Sequence, residues 1–313
     1  MITEKKGKVV KGLGGLYNVR VTENDKTISI YTCRAKGVLH KDEEKLLIGD
    51  NVLISIDDST PDGIIISEIE NRKNALIRPP MSNLDYLFMV FAAKKPTPVL
   101  EVVDKLIAIA VHNGITPIAV VTKKDLDGGI AKEYADIYKQ AGIETFITSS
   151  ETGEGVDALS DYIKENVKEG KTAAFAGASG VGKSTLMNAI FPELNLITSE
   201  ISKKIERGRH TTRHVELFDM GEGASSGFLA DTPGFSLVDF ARFDFFDVED
   251  LPMTFADITK YSDGCTYADC AHVGEGINDC AVARAASEGK IAPSRLESYR
   301  SIYRILKEKK NKF

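Results

Sequence analysis

The chain has 313 residues and a net charge of −6, a length that fits two domains of roughly 150 residues, with room for a small extra module. Apolar and charged residues stand at ordinary shares, 42% and 27%, which excludes a low-complexity or disordered chain. No apolar run approaches the ~20 residues a membrane span needs, and the acidic balance gives no global attraction to nucleic acid.

Residues 1–72 read as short strands separated by glycine turns: "GKVVKG", "GLYNVRV", "KTISIYTCRA", "GDNVLISI" and "GIIISEIE" alternate or run apolar. Five such strands predict a small β-barrel, of which the oligonucleotide-binding (OB) fold is one type. Tyr17 and Tyr31 interleave with Arg20 and Arg34. That pattern suits base stacking beside phosphate contacts, and equally suits half-buried strand residues. Cys33, alone in this region, reads as packing. The charged start "MITEKKGKVVKG" lacks the apolar stretch of a secretory signal, so a cytoplasmic protein is expected.

"NRKNALIRPPMSN" (Asn71–Asn83), with its paired prolines, reads as a linker. Strands and helices then alternate through residues 73–245: "YLFMVFA", a helix closed by Gly114, "PIAVV", "AKEYADIYKQAG", "TFIT", "VDALSDYIKENV", "TAAFAG", "KSTLMNAIF", "HVELFDM" and "GFLADT". This alternation predicts an α/β domain with a parallel sheet, whose sites lie at the carboxyl ends of strands. Residues 246–313 break the pattern. They hold three of the four cysteines and end in a basic helix carrying Arg295, Arg300, Arg304, Lys307, Lys309, Lys310 and Lys312. This tail, Lys5, Lys6, Lys8 and Lys11 at the start, and "KKIERGRHTTRH" each read either as a nucleic-acid contact or as a solvated face.

The motifs fall at the strand ends. Gly177 to Ser184 fits G-x-x-x-x-G-K-[ST], after a predicted strand and opening a helix. Gly177, Ala178, Ser179, Gly180, Val181, Gly182, Lys183, Ser184 and Thr185 would form a phosphate-cradling loop. Its backbone N–H groups and helix dipole attract anionic oxygens. Lys183 would reach the β- and γ-phosphates, and Ser184 would ligate Mg²⁺. "DTPG" (Asp231–Gly234) ends an apolar strand. Asp231 is placed to hold Mg²⁺ through water, and the Gly234 N–H to sense the γ-phosphate. "TKKD" (Thr122–Asp125) follows "PIAVV", and Asp125 can accept from both N1–H and the 2-amino group of guanine. Adenine offers no such pair, so it would leave a carboxylate unpaired at a cost of about 1–3 kcal/mol. Lys123 would lie along the base face beside Lys124, while a backbone N–H near Ser149 or Ser150 in "TSSETGEG" would meet guanine O6. In "GRHTTRH", Thr212 would ligate Mg²⁺ when the γ-phosphate is present. Base readers precede the phosphate loop here, which is a circular permutation. A sheet does not record where its chain begins, so the site survives it.

On these residues, and on "NLDYLFMV", "RGRHTTRHVELF", "DTPGF" and the cysteine cluster with its basic helix, the chain resembles the RsgA (YjeQ) family over nearly its whole length. The resemblance implies an OB barrel, a permuted P-loop GTPase domain and a zinc module. It further implies GTP hydrolysis stimulated by the small ribosomal subunit during late maturation, with flanking domains on rRNA, and a monomer is expected. It also implies Zn²⁺ on Cys265, Cys270, His272 and Cys280, in the pattern C-x4-C-x-H-x7-C. By spacing alone, reduced buried cysteines beside an exposed histidine fit as well. The segment between His272 and Cys280 is longer than the family's usual one, which leaves the ligand geometry open.

Two departures matter. The family's usual Asn is Thr122 here, which predicts binding weaker by about 1 kcal/mol, one hydrogen bond's worth. Phe235 stands where Ras-like enzymes carry a water-orienting glutamine, so intrinsic turnover should be slow. His210 is the nearest catalytic candidate, or else an rRNA contact. Two rival readings are a non-catalytic RNA-binding scaffold that only holds nucleotide, and a P-loop kinase or ATPase. The full set of magnesium and phosphate residues stands against the first, and Asp125 against the second.

Overall fold

The five N-terminal strands form in the computed structural model, which describes residues 2–36, 45–57, 59, 63–192, 215–221, 226–231 and 240–311. They are β1 (Ile2–Leu13), β2 (Leu16–Thr22), β3 (Ile28–Ala35), β4 (Asn51–Asp57) and β5 (Ile64–Ile69). They close into a barrel in the order β1-β2-β3-β5-β4, with β3 and β5 parallel and the other pairs antiparallel. β1 begins five residues before the predicted "GKVVKG", because Ile2 to Lys8 pair with β4 while Gly7 onward pairs with β2. Gly7 sits where β1 passes between partners: a Cβ there would stand 2.8 Å from Arg20 O, closer than side chains tolerate.

Val9, Val19, Val21, Cys33, Val52, Ile54 and Ile66 fill the barrel. Burial pushes the Cys33 thiol up to about 12, so it is an inert packing group, as expected. Tyr17 and Tyr31 pack against this core. Tyr31 Oη accepts from Lys5 Nζ and donates to Glu23 Oε1, each at 2.8 Å. Of the two readings, the half-buried one describes these tyrosines.

The expected linker is instead tied to the barrel. β6 (Ala75–Leu76) and β7 (Met81–Ser82) pair with each other. Arg72 clamps the fully buried Asp50 at 2.7 and 2.8 Å, and Ser82 Oγ donates to the same carboxylate at 2.6 Å. The prolines suggested a spacer. The buried carboxylate, which needs partners, recruits that segment instead.

The described residues fall into two compact units. One is built from Met1–Tyr86, Asp161–Phe175 and Glu200–Phe235, the other from Leu87–Ser160, Ala176–Ser199 and Ser236–Phe313. In the second unit, β8 (Tyr86–Ala92), β9 (Thr116–Thr122) and β10 (Glu144–Ile147) hydrogen-bond in the order β10-β9-β8, with β9 and β10 parallel. α1 (Leu100–His112) and α2 (Gly128–Gln140) accompany these strands. Asp127 caps α2, its side chain accepting from Ile130 N at 3.1 Å. α3 (Val156–Asn166) follows.

In the first unit, β11 (Thr172–Ala176), β12 (Glu216–Asp219) and β13 (Phe228–Asp231) run in the order β11-β13-β12. β11 and β13 are parallel, but β12 is antiparallel to β13. The eight residues joining those two strands are too few for the parallel crossover of a dozen or more residues.

The C-terminal segment adds α5 (Ala256–Thr259), α6 (Ala281–Ser287) and α7 (Pro293–Lys310). Arg295, which the sequence placed in a basic tail, is 2% exposed. It pairs with Asp104 of α1 at 2.7 Å and Asp257 of α5 at 2.8 Å, over the ring of Phe255. Such a cluster is costly to bury and more costly to break. Arg295 therefore fixes α7 against α1.

Candidate nucleotide site and metal centre

Three strand-end loops of the second unit meet around the phosphate-cradling sequence. Gly177 passes so close to β8 that a Cβ would lie 2.2 Å from Val90 O. Gly180 and Gly182 take left-handed φ values of 80° and 95°, which glycine adopts without strain. Gly182 starts α4 (Lys183–Ile190), which places Lys183 and Ser184 in its first turn, both half-buried, with Thr185 exposed after them. Ala178 and Ser179 are exposed at the loop tip, while Val181 is buried beneath it.

The "TKKD" loop bonds directly to this one. The buried Thr122 Oγ1 donates to Val181 O at 2.6 Å, and Lys123 Nζ donates to Gly180 O at 2.6 Å and also to Lys95 O. Lys123 is itself left-handed, with φ 57°, so the chain turns sharply and leaves Asp125 exposed. The third loop orients that carboxylate. Ser149 Oγ accepts from Thr152 N at 3.2 Å and donates to Asp125 Oδ1 at 2.6 Å. Lys124 N bonds Thr148 O at 3.1 Å, and its ammonium pairs with Glu154. Ser150 is half-buried beside them. Gly155 lets this loop return under Ile147 O, where a Cβ would sit at 2.1 Å.

Thr122 keeps the tie to the phosphate loop, but its one hydroxyl proton is used there. An Asn at this position brings two amide protons. A Thr122→Asn chain is expected to bind GDP more tightly by about 1 kcal/mol, read by titration calorimetry. Unchanged affinity would count against a base-side role for this position.

β13 ends at Asp231, and its parallel partner β11 is the strand that leads in sequence into Gly177. His210, Thr212, Gly234 and Phe235 lie outside the described residues. The hydroxyl of Ser184 is a hard oxygen donor of the kind that Mg²⁺ takes beside phosphate oxygens.

The second cluster lies in the C-terminal segment. Cys265, Cys270, His272 and Cys280 each place a ligand atom within 4.8 Å of the others. The three Sγ atoms lie 3.6, 3.4 and 3.5 Å from His272 Nδ1. A tetrahedral Zn²⁺ with Zn–S near 2.3 Å and Zn–N near 2.05 Å has a nitrogen–sulfur edge of about 3.5 Å. The three nitrogen–sulfur separations thus match the edges of a zinc tetrahedron, and three thiols with an imidazole fit that ion. The long His272–Cys280 segment is absorbed by a turn, with Cys280 N donating to Gly276 O at 2.9 Å. Cys280 then caps α6, its sulfur accepting from Ala283 N at 3.3 Å.

Two supporting partners carried no sequence signal. His272 Nε2 lies 3.0 Å from Ser262 Oγ; with a metal on Nδ1 it would carry the proton and donate there, which holds the ring as outer partners of metal ligands do. Arg300 Nε donates to His272 O at 2.8 Å, holding a left-handed backbone of φ 61°. Much of the remaining positive tail is also occupied. Lys309 pairs with Asp244 at 2.5 Å, Lys310 with Glu249, and Arg304 with Glu297 at 3.5 Å. The acidic stretch Asp244–Asp250 supplies two of these partners.

Known proteins resemble this chain throughout. A sequence model described as RsgA GTPase matches residues 69–241, and one described as RsgA N-terminal domain matches residues 6–65. A Bacillus velezensis protein described as small ribosomal subunit biogenesis GTPase RsgA is 39% identical over 312 residues, covering 98% of this chain and 99% of the relative. A Listeria monocytogenes protein described as small ribosomal subunit biogenesis GTPase RsgA 2 is 38% identical over 311 residues, covering 98% and 99%. Among solved structures, YjeQ from Thermotoga maritima superposes with a TM-score of 0.78 at 30% identity, covering 97% of this chain and 99% of that one. YloQ, titled a circularly permuted GTPase, gives 0.75 at 33% identity, covering 98% and 96%. With base-reading loops ahead of the phosphate loop, a five-stranded barrel before both and a Cys₃His cluster after them, the chain belongs to the RsgA GTPase family, in its circularly permuted form.

Proposed function

We propose that the chain hydrolyses GTP to GDP and phosphate, that the small ribosomal subunit stimulates this turnover, and that it serves late maturation of that subunit through rRNA contacts. One observation carries the nucleotide reading. Thr122 and Lys123 are hydrogen-bonded to the phosphate loop while Ser149 aims Asp125 outward, so a base reader and a triphosphate cradle share one rigid frame. Asp125 selects guanine, with Lys123 along the base and the Ser149–Ser150 backbone at O6. The loop from Gly177 to Thr185 holds the phosphates, and Lys183 neutralises charge on the β- and γ-oxygens as water attacks in line. Ser184, Asp231 and Thr212 would hold Mg²⁺, which supplies electrostatic stabilisation of the transferring phosphoryl group. Gly234 would sense the γ-phosphate. His210 is the candidate group that orients water.

Cys265, Cys270, His272 and Cys280 would hold a structural Zn²⁺. The proposed division is an RNA-binding barrel over residues 1–72, the GTPase domain over 73–245 and the zinc module over 246–313. The chain would work as a monomer in the cytoplasm, where subunits are assembled. No helix among the described residues is long and apolar enough to cross a membrane.

The deciding assay is phosphate release from GTP with and without purified small subunits. Turnover is expected to rise by about 10²-fold or more with subunits, the scale on which supplied catalytic groups act. It should fall as salt weakens phosphate contacts. No stimulation would leave the nucleotide-holding scaffold as the better reading. A His210→Ala chain that kept full stimulated turnover would remove His210 from catalysis.

A further inference from the structure

The segment between His272 and Cys280, long for its place in the sequence, lines a groove in the C-terminal segment together with α6 and α7. The groove holds about 540 Å³, a volume in the range of ligand sites. Its apolar lining is Ala283 and Ala286 of α6, Pro293 and Leu296 of α7, and Ile277 of the loop. Ile277 is 55% exposed. A lone exposed aliphatic residue needs no explanation, but this one stands beside other apolar side chains on a fixed backbone. The turn that carries it is closed by Asp279 N and Cys280 N, which both donate to Gly276 O, at 3.1 and 2.9 Å.

The charges of the groove point to what fills it. Glu275 and Glu297 line it, and Arg300 is the one cation among the described lining residues. Arg300 already donates through Nε to His272 O at 2.8 Å. The Glu275 carboxylate accepts from Gly274 N at 3.1 Å and has no ion pair among the described residues. Glu297 meets Arg304 at 3.5 Å, with both side chains exposed, a weak tie that another cation can replace. Residues 261–280 add Asp263, Asp269 and Asp279 and hold no Lys or Arg. Such a face repels phosphate and attracts cations. We propose that this groove docks a lysine- and arginine-rich protein segment with one aliphatic side chain, presented by a protein of the small ribosomal subunit. The aliphatic side chain enters beside Ile277, Pro293 and Leu296, and the flanking cations meet Glu275 and Glu297. Chains that pack against RNA carry basic segments of this kind. The metal-cluster loop thereby recognises protein rather than nucleic acid. This rests on the small-subunit reading given above.

The test uses the full-length, zinc-loaded chain and a fluorescein-labelled synthetic peptide with one leucine among lysine and arginine residues, read by anisotropy. A second peptide has serine in place of the leucine. The leucine peptide is expected to bind about tenfold more tightly than the serine peptide, the scale of one buried aliphatic group. Ile277→Ser and Glu297→Lys each weaken its binding by about tenfold. Zinc content, melting temperature and GDP affinity stay at wild-type values, because both side chains are exposed. A benzophenone side chain placed at position 277 crosslinks to a protein of bound small subunits. Four results overturn the proposal: equal binding of the two peptides, wild-type binding in either variant, a crosslink to rRNA or to a second copy of this chain, or no crosslink on a bound subunit. Should the chain not bind subunits at all, the subunit reading fails instead, and the peptide comparison alone decides the role of the groove.

Discussion

An Asp125→Asn chain is expected to lose GDP affinity by about 10²–10³-fold and to gain affinity for XDP, the xanthine analogue. Guanine presents two donors, N1–H and the 2-amino group, and a carboxylate accepts both. Ser149 Oγ takes a bond from Thr152 N and so directs its own proton to Asp125 Oδ1. That leaves the outer lone pairs of the carboxylate for the base. In the Asn variant the amide NH₂ must point at one of these donors. The variant loses a charge-assisted hydrogen bond and strands a donor, each worth about 1–3 kcal/mol. Xanthine carries an oxygen at C2, which the new NH₂ can satisfy, so preference inverts as it does whenever a site's polar groups are re-matched. Asp125 is exposed, so thermal stability should hardly move, and a binding change is not a folding change in disguise. Competition of GDP, XDP and ADP against labelled GDP reads all of this. Retained GDP affinity in the variant would remove Asp125 from base recognition and, with it, the reason to call the pocket guanine-specific.

The parts of this molecule that were legible in its letters are those where short-range chemistry dictates position. Glycines at 177, 180 and 182, followed by Lys183 and Ser184, permit few backbone paths, and the loop takes the expected one between β11 and α4. The five barrel strands carried their own alternation. The misread segments are those where a distant partner decides. The prolines near residue 80 suggested a spacer, but the buried Asp50 draws Arg72 and Ser82 to the barrel. Arg20 sat in a pattern that fits nucleic-acid binding, yet it is used up on Asp219 and Ser226, some two hundred residues away. Arg295 looked like one more charge on a basic helix and is instead buried between two carboxylates. For Arg20 and Arg295 periodicity placed the residue on its strand or helix correctly. Which of its neighbours carried the opposite charge could not be read from local sequence, because that depends on how separate elements pack.

Removing zinc is expected to unfold one loop and spare the helix that follows it. Across residues 261–280 the only fully buried side chains are His272 and Cys280, both candidate ligands. That loop has no apolar core of its own, so a bound zinc would take the core's place, and apparent zinc-binding energies of about 10 kcal/mol or more become folding energy in such segments. The helix α7 is anchored differently. Leu296, Tyr299, Ile302 and Leu306 are buried, and Arg295 holds Asp104 and Asp257 without any metal. Treatment with a strong chelator, or a Cys270→Ser substitution, should therefore raise amide exchange steeply over residues 261–280 and little over 295–306. GDP affinity should stay near wild type, because the Thr122–Val181 and Ser149–Asp125 bonds do not involve this loop. Subunit-stimulated turnover should fall. Metal analysis of the purified chain should return about one zinc per molecule, and close to none for the Cys270→Ser chain. If the untreated protein contains no zinc, or if the loop exchanges identically with and without chelator, the four donors are a reduced thiol cluster beside a histidine. Ser262 and Arg300 would then be holding His272 in its left-handed turn for packing rather than for a metal.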